Sequence, residues 1–340
     1  MNRSIKSKEV SMKKHFNMYV VVFFLFIIGV SLFNVPEGIS AAKQTLAAAS
    51  VKAEPTGLDD QVWSTAKAIE VPFEGKEQFA GKKASVTTKA VYTGDSIFFL
   101  FKWADPTLSI SKEAWKYDGL KWSHMQGNED RISLLFEINR IKNFATKGCA
   151  VTCHVPQGAT NAKEGKFGTL SEAEKGDLWH WKSARSDPAG VADDTWLTKT
   201  DMKKSGRKSD KGKSGDTRNM TEDKTKPKYM LAPGKKLAKN DILLTSHAVE
   251  ISDYSVFKAG DTITYRMPNV PEGSSADIKA ISQWVNGQWT VLLSRKLDTG
   301  HDDDVAFNPK KKYNFAMALF DDSGDENSYD SETITLEFSR

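Results

Sequence analysis

Apolar and polar positions along the chain fall into three regimes. The first is an unbroken apolar run, Met18 to Phe33, behind a polar, basic start. The second is a set of short segments with partial period-two alternation, the pattern of half-buried strands. Ala68 to Phe73, Ala84 to Thr93, Ser96 to Trp103 and Arg131 to Ile138 belong to it in the first half. Ile242 to Val249, Thr262 to Met267, Ile278 to Trp284, Trp289 to Leu297, Tyr313 to Phe320 and Thr333 to Phe338 belong to it in the second. Gly94-Asp95 and Asn286-Gly287 are tight-turn signals that join pairs of these into hairpins. The third regime, about 139–240, is long and irregular, with one short helix expected from Ser171 to Trp181. Many short strands, turn signals and few helical periods predict a mainly β chain, an antiparallel β-sandwich with a few short helices.

The N-terminal order is basic, apolar, then small residues (Ser40, Ala41, Ala42), which describes a secretory signal peptide over 1–42 with cleavage after Ala42. An uncleaved anchor is the alternative, although the run is short for a full span. Either way the body is expected to be exported to the periplasm or another extracytoplasmic compartment. Residues 43–56 read as an Ala/Lys-rich linker, and 57–340 as one β-sandwich domain with the central insertion. Within that insertion, 198–228 is rich in Lys, Asp, Ser, Thr and Gly and reads as an exposed arm.

Charge narrows the partners. The formal net charge is +4, but residues 1–42 carry five basic and two acidic side chains, so the remainder is close to neutral. A near-neutral body argues against nucleic acid as the main partner.

Both cysteines lie in one stretch, Gly148-Cys149-Ala150-Val151-Thr152-Cys153-His154. Two thiols followed directly by a histidine suit covalent haem attachment: each thiol forms a thioether, and the imidazole lies beneath the iron. The spacing is one residue longer than the usual attachment motif. A disulfide remains open, as does a redox dithiol, though dithiols normally use a shorter spacing. A structural zinc site lacks its remaining cysteines. Under the haem reading Cys149 and Cys153 are the anchors and His154 is the proximal ligand. His180, in Trp179-His180-Trp181, is the first choice for the distal ligand, and Met125 is the second. Arg131, Lys182 and Arg185 are candidates for pairing with haem propionates. The acidic loop Asp321-Asp322-Ser323-Gly324-Asp325-Glu326 offers oxygen ligands of the kind calcium takes, without the EF-hand spacing.

A series of short motifs resembles the ethylbenzene-dehydrogenase-type haem-binding family. It comprises Leu58-Asp59-Asp60 with Trp63, Tyr92-Thr93, Phe98 to Pro106 and Gly127 to Arg131. It continues through Cys149 to His154, Asp177 to Lys182, Asp193-Asp194, Arg295-Lys296-Leu297 and Asp302-Asp303-Asp304. The resemblance implies a β-sandwich with haem held by loops at one end. It also implies a cytochrome (gamma) subunit of a molybdenum oxidoreductase, passing electrons between an iron–sulfur (beta) subunit and an outside acceptor such as a soluble cytochrome. A molybdenum catalytic (alpha) subunit would complete the complex. The family's b-type haem sits between a methionine and a lysine. The Cys/His motif departs from that pattern and implies a haem c in place of the haem b or in addition to it; for a second haem b, Met125 and Lys279 are the candidate ligands by that analogy. Two other functions stay open: a stand-alone haem enzyme, and a carbohydrate- or surface-binding module with a Cys149–Cys153 disulfide.

Overall fold

In the computed structural model, residues 44–76, 79–154, 166–201, 203–323 and 329–339 are described. The expected signal peptide, the Gly324–Glu326 part of the acidic loop and the His154 side chain lie outside the described residues. Among the described residues no helix is long and apolar enough to cross a membrane.

Thirteen strands make one hydrogen-bonded sheet that folds back on itself. In chain order they are β1 (Thr45–Ser50), β2 (Ile69–Gly75), β3 (Lys83–Tyr92), β4 (Ser96–Ala104), β5 (Glu129–Asn139), β6 (Lys175–Lys182) and β7 (Asp193–Leu197). The others are β8 (Arg207–Ser209), β9 (Lys279–Val285), β10 (Gln288–Lys296), β11 (Tyr313–Ser323), β12 (Tyr329–Ser331) and β13 (Ile334–Ser339). The spatial order is β8-β7-β6-β5-β11-β12-β2-β3-β4-β10-β9. The two halves, β8 to β11 and β2 to β9, meet at two seams of paired strands and at a bridge between Val191 and Lys279. At one, β12 pairs with both β11 and β2. At the other, β13 pairs with β11, β1 runs parallel to β13, and β1 runs parallel to the end of β3. The mainly antiparallel β-sandwich follows from the alternation in the sequence. The hairpin between β9 and β10 turns on Asn286 and Gly287, both at positive φ (50° and 77°), as the primed turn requires.

Between the halves lies an aromatic core. Phe99, Phe101 and Trp103 of β4 meet Phe136 of β5, Trp179 and Trp181 of β6, Trp289 of β10 and Phe315 of β11. Phe99 meets Trp179 edge-on at 5.8 Å, and Trp181 meets Trp289 at 5.0 Å. Such rings bury large apolar areas and interlock at fixed angles.

Three expectations from the sequence are corrected. The linker over 43–56 is in part β1, whose Leu46 and Ala48 are fully buried. A short Ala-rich stretch becomes a strand because two open edges, β13 and β3, accept it. The helix expected over 171–181 is the strand β6 from Lys175 onward. Both faces of β6 are covered, so its residues are almost all buried and polarity leaves no visible period. Within Ile242 to Val249, Thr245–His247 is a 3₁₀ turn and only Ala248 and Val249 are in a strand; another 3₁₀ turn, Lys239–Asp241, directly precedes the segment. Asn240 and Asp241 take left-handed φ there, which breaks any strand.

The central insertion is less irregular than its composition suggests, since it supplies β6, β7 and β8. Its lysine-rich arm is pinned by β8 pairing with β7 and by two further short pairings, Gly212–Lys213 with Glu272–Gly273 and Asp216–Arg218 with Arg266–Pro268. Buried Asn219 fixes the arm's end. Its side-chain amide donates to the Tyr229 and Thr264 carbonyls at 2.8 and 3.0 Å, and its oxygen accepts from the Lys228 and Tyr229 amides.

Because β1 closes a seam, Leu46→Ala should lower folding stability by roughly 2–5 kcal/mol, the cost of a large-to-small change in a packed core. Denaturant unfolding measures this; an unchanged midpoint would mean that residues 45–50 behave as a linker.

Candidate functional site

Side chains of a strand alternate between faces. On β6, Trp179 and Trp181 point into the core, so Leu178, His180 and Lys182 point outward. Register aligns these with outward residues of neighbouring strands. His180 stands opposite Ser133 of β5 and Asp193 of β7, and Lys182 opposite Arg131. Arg131 in turn stands opposite Phe320 of β11.

The Cys/His segment folds over this same outer face. Phe144–Lys147 forms one helical turn, Gly148–Thr152 a 3₁₀ turn, and Cys153 pairs with Phe167. Gly148, at φ 58°, approaches the Ala316 side chain so closely that a Cβ would lie 3.2 Å from it. Cys149 is buried among Leu135, Leu178, Leu197 and Ala316, with Ile141 and Phe144 beside it. His180 is the next outward position after Leu178 on β6, about 7 Å along the strand. The fold therefore brings Cys149 and His180, 31 positions apart in sequence, to one sheet face.

Cys149 and Cys153 are free thiols, so the disulfide left open by the sequence is absent from the structure. Desolvation, helped by the Asp330 charge, pushes both thiols up, Cys153 to about 11. That is the reverse of a redox dithiol, whose attacking thiol is lowered.

His180 is buried, and neither ring nitrogen has a hydrogen-bond partner. Each of the other three described histidines has a partner. His124 Nδ1 lies 2.8 Å from the Glu113 carbonyl, and His247 Nδ1 lies 2.9 Å from the Lys236 carbonyl. His301 Nδ1 lies 3.0 Å from Ser274 Oγ and 3.1 Å from Asp277. Burial, and then the charges of Lys182, Arg207, Arg131 and Arg185, hold His180 well below the ordinary histidine value. It is a neutral imidazole, the form that binds a metal. Phe320 stacks on it at 5.2 Å, and the Arg131 guanidinium lies 4.0 Å over that same Phe320 ring.

The cationic rim is partly committed. Lys182 Nζ pairs with Asp193, and burial pulls the amine down to about 8. Arg185 is held by Glu129 and lies 3.7 Å from Asp216, so its charge is already matched. Arg131 donates to the Ser323 carbonyl at 2.6 Å. Arg207 of β8, which the sequence reading missed inside the lysine-rich arm, donates to Thr195 Oγ1 at 3.2 Å. It borders an open cleft of about 340 Å³ with Asp193, Thr195 and Ser205. No spacing in the sequence marks Arg207; β8 pairing with β7 places it.

Met125 is exposed beyond the strand Trp122–His124, its amide bonded to the Ala114 carbonyl at 2.7 Å. Lys279 is exposed at the start of β9, where it bridges to Val191, with Nζ on the Ala276 carbonyl at 2.8 Å.

A family model described as ethylbenzene dehydrogenase matches residues 60–332. The chain belongs to that family. No curated protein matches. Solved structures similar in outline include a family 9 carbohydrate-binding module from Caldicellulosiruptor kristjanssonii in complex with glucose. That likeness has 7% identity and a TM-score of 0.36, and covers 87% of this chain and 96% of that one. A putative carbohydrate-binding protein from Bacteroides uniformis shows 9% identity and a TM-score of 0.37, covering 88% and 100%.

The buried imidazole has a measurable consequence in the haem-free protein. Unfolded histidine takes a proton near pH 6.5, while folded His180 does not. The unfolded state then binds more protons below pH 6.5, so stability should fall as pH drops through that range, by about 1.4 kcal/mol per unit. His180→Phe should remove this slope without lowering stability at pH 8, because an unpartnered buried polar group costs about 1–3 kcal/mol. Urea unfolding from pH 5 to 8 decides it; an unchanged slope in the variant would mean that His180 is hydrogen-bonded or solvated.

Proposed function

We propose that this chain is a c-type cytochrome, the electron-transfer subunit of a molybdenum oxidoreductase complex. Membership of the ethylbenzene dehydrogenase family fits a subunit of that kind. One observation carries the haem reading: a buried, neutral, unpartnered His180 on the sheet face covered by the Cys149 segment. The finer reading is the haem subunit of nitrite oxidoreductase, which rests on the ordered motifs from Leu58 to Asp304.

The donor set near this face is of the kind a haem takes. Cys149 and Cys153 would anchor it through thioethers, with His154 as the proximal ligand. His180 would offer the distal imidazole. Phe320 and Leu178 supply apolar surface, and Arg131, Lys182 and Arg207 supply positive charge for propionates. Bound there, the haem would supply a one-electron redox centre whose potential is set by its axial ligands and its burial. The protein's part is to fix the ligands, exclude water and balance charge. Arg185, matched by Glu129, braces the Ala184–Arg185 turn instead: both backbone amides donate to Glu129 Oε2 at 3.0 Å.

In this reading the iron–sulfur subunit delivers or takes electrons on one side and an external carrier acts on the other, in an extracytoplasmic compartment. A haem b held by Met125 and Lys279 would be a second, separate centre.

Intact mass of the denatured mature protein, with a haemochrome spectrum, tests the proposal. One haem should remain attached after denaturation, and Cys149→Ser with Cys153→Ser should leave it extractable. Wild-type protein should be low-spin and bind carbon monoxide slowly, and His180→Phe should become high-spin and bind it rapidly. Protein with no haem, when made with a working attachment system, would sink the cytochrome reading and favour the binding module. A high-spin wild type would favour a stand-alone haem enzyme.

A further inference from the structure

Away from the Cys/His face, on the inner side of the sandwich, a second group of side chains converges. Asp177 of β6 and Asp194 of β7 point inward, and Asp304 arrives from the loop after β10. All three are at most 4% exposed, and each offers an oxygen within 4.8 Å of the others'. Arg295 of β10, also buried, is the cation among them. It donates to Asp177 Oδ2 at 2.7 Å, Asp304 Oδ1 at 2.9 Å and the Val305 carbonyl at 2.7 Å.

This arrangement leaves a remainder. Asp194 has no hydrogen-bond partner at either oxygen, and Asp177 has none at Oδ1. Arg295 comes only to 4.0 Å from Asp194 Oδ2. Three carboxylates against one guanidinium leave two negative charges unmatched in a buried place. Buried charges are normally paired or bound to a metal. Asp210 deepens the imbalance: it is 4% exposed, with Oδ1 unpartnered. An outer cleft lies nearby. An open cleft of about 460 Å³ is lined by Lys211, Gly273, Ser274, His301 and Asp303. Ser274 Oγ lies 3.4 Å from Asp210, and His301 Nδ1 lies 3.6 Å from Asp304 Oδ2.

We propose that Asp177 Oδ1, Asp194 and Asp304 bind one divalent cation, calcium, through the cleft at Ser274 and His301. The donors are all carboxylate oxygens, which suits a hard cation. An irregular set with waters entering from the cleft suits calcium better than magnesium, which demands near-ideal octahedral geometry. A double positive charge cancels the two unmatched charges. The same ion would tie β6, β7 and the loop after β10 together. The proposal is independent of the haem reading.

The rival account is a proton shared among the carboxyls, since burial pushes Asp194 well above the usual carboxylate range and Asp210 up to about 8. The two accounts separate in the mature protein with whatever cofactor it carries. After treatment with a chelator, added calcium should raise the unfolding temperature by roughly 5 °C. Metal analysis should find one calcium per chain, and Asp194→Asn should abolish both. Should that variant fail to fold, terbium serves with the unmodified protein. Trp179 lies 4.7 Å from the Arg295 guanidinium, close enough to sensitise terbium emission. Calcium should quench that emission by displacement. Absence of any calcium-dependent shift together with absent terbium emission would overturn the proposal in favour of the shared proton. A response to magnesium but not to calcium would overturn the choice of ion.

Discussion

Beside the backbone bridge between Val191 and Lys279, a buried guanidinium ties the two halves of the sandwich at one end. Arg295 leaves β10 in one half, lies 4.7 Å over the Trp179 ring, and meets Asp177 of β6 in the other half. Asp177 Oδ2 also accepts from the Val305 amide at 2.9 Å, which fastens the loop after β10. A buried ion pair gains little net stability against its desolvation, but breaking one partner is costly. Its effect here is to fix register. β6 is held with Trp179 inward, and its neighbours His180 and Lys182 must then face outward. The position of His180 on the outer face therefore depends on an interaction on the inner one.

The same division explains two adjacent acids. Asp193 faces outward and pairs with Lys182; despite burial, Lys182 and Arg207 hold its carboxyl below the ordinary value. Asp194 faces inward and finds no hydrogen-bond donor. One peptide step moves a carboxylate from a cationic surface to an acidic interior. The sandwich thus keeps a positive rim on one side of β6 and β7 and a negative chamber on the other. The neutral state of His180 follows from the first, since surrounding cations and burial both oppose its protonation.

Legibility in the sequence tracks how one-sided each segment is. β3, β4, β5, β10 and β11 were readable from alternation and turn residues. β6 was not, because Trp179 and Trp181 face the core while Leu178 and His180 are covered from outside, leaving no polar face to give a period. β1 was hidden for a different reason. Its small alanines carry little intrinsic strand preference, and its strand state comes from two waiting edges, a tertiary effect. At the site, the Cys149–Cys153 pair and His180 were legible as chemistry, but their shared face was not. Spacing cannot report a contact made across a sheet. Arg207 was illegible among many lysines, because only pairing of β8 with β7 distinguishes it.

His180 differs from the other described histidines in that neither ring nitrogen has a partner. The other described histidines, all at least partly exposed, each have a partner for one nitrogen. His180 has none, although Ser133 and Asp193 stand directly opposite and Asp193 is instead taken by Lys182. Diverting the nearest acceptor leaves the imidazole neutral and its nitrogens free. A fold that kept His180 for packing alone would be better served by phenylalanine, which fills the same space without an orphaned polar group. The cost of leaving it orphaned is offset only if something binds to it. The covering segment, with both cysteines of the chain, is where that partner would be anchored.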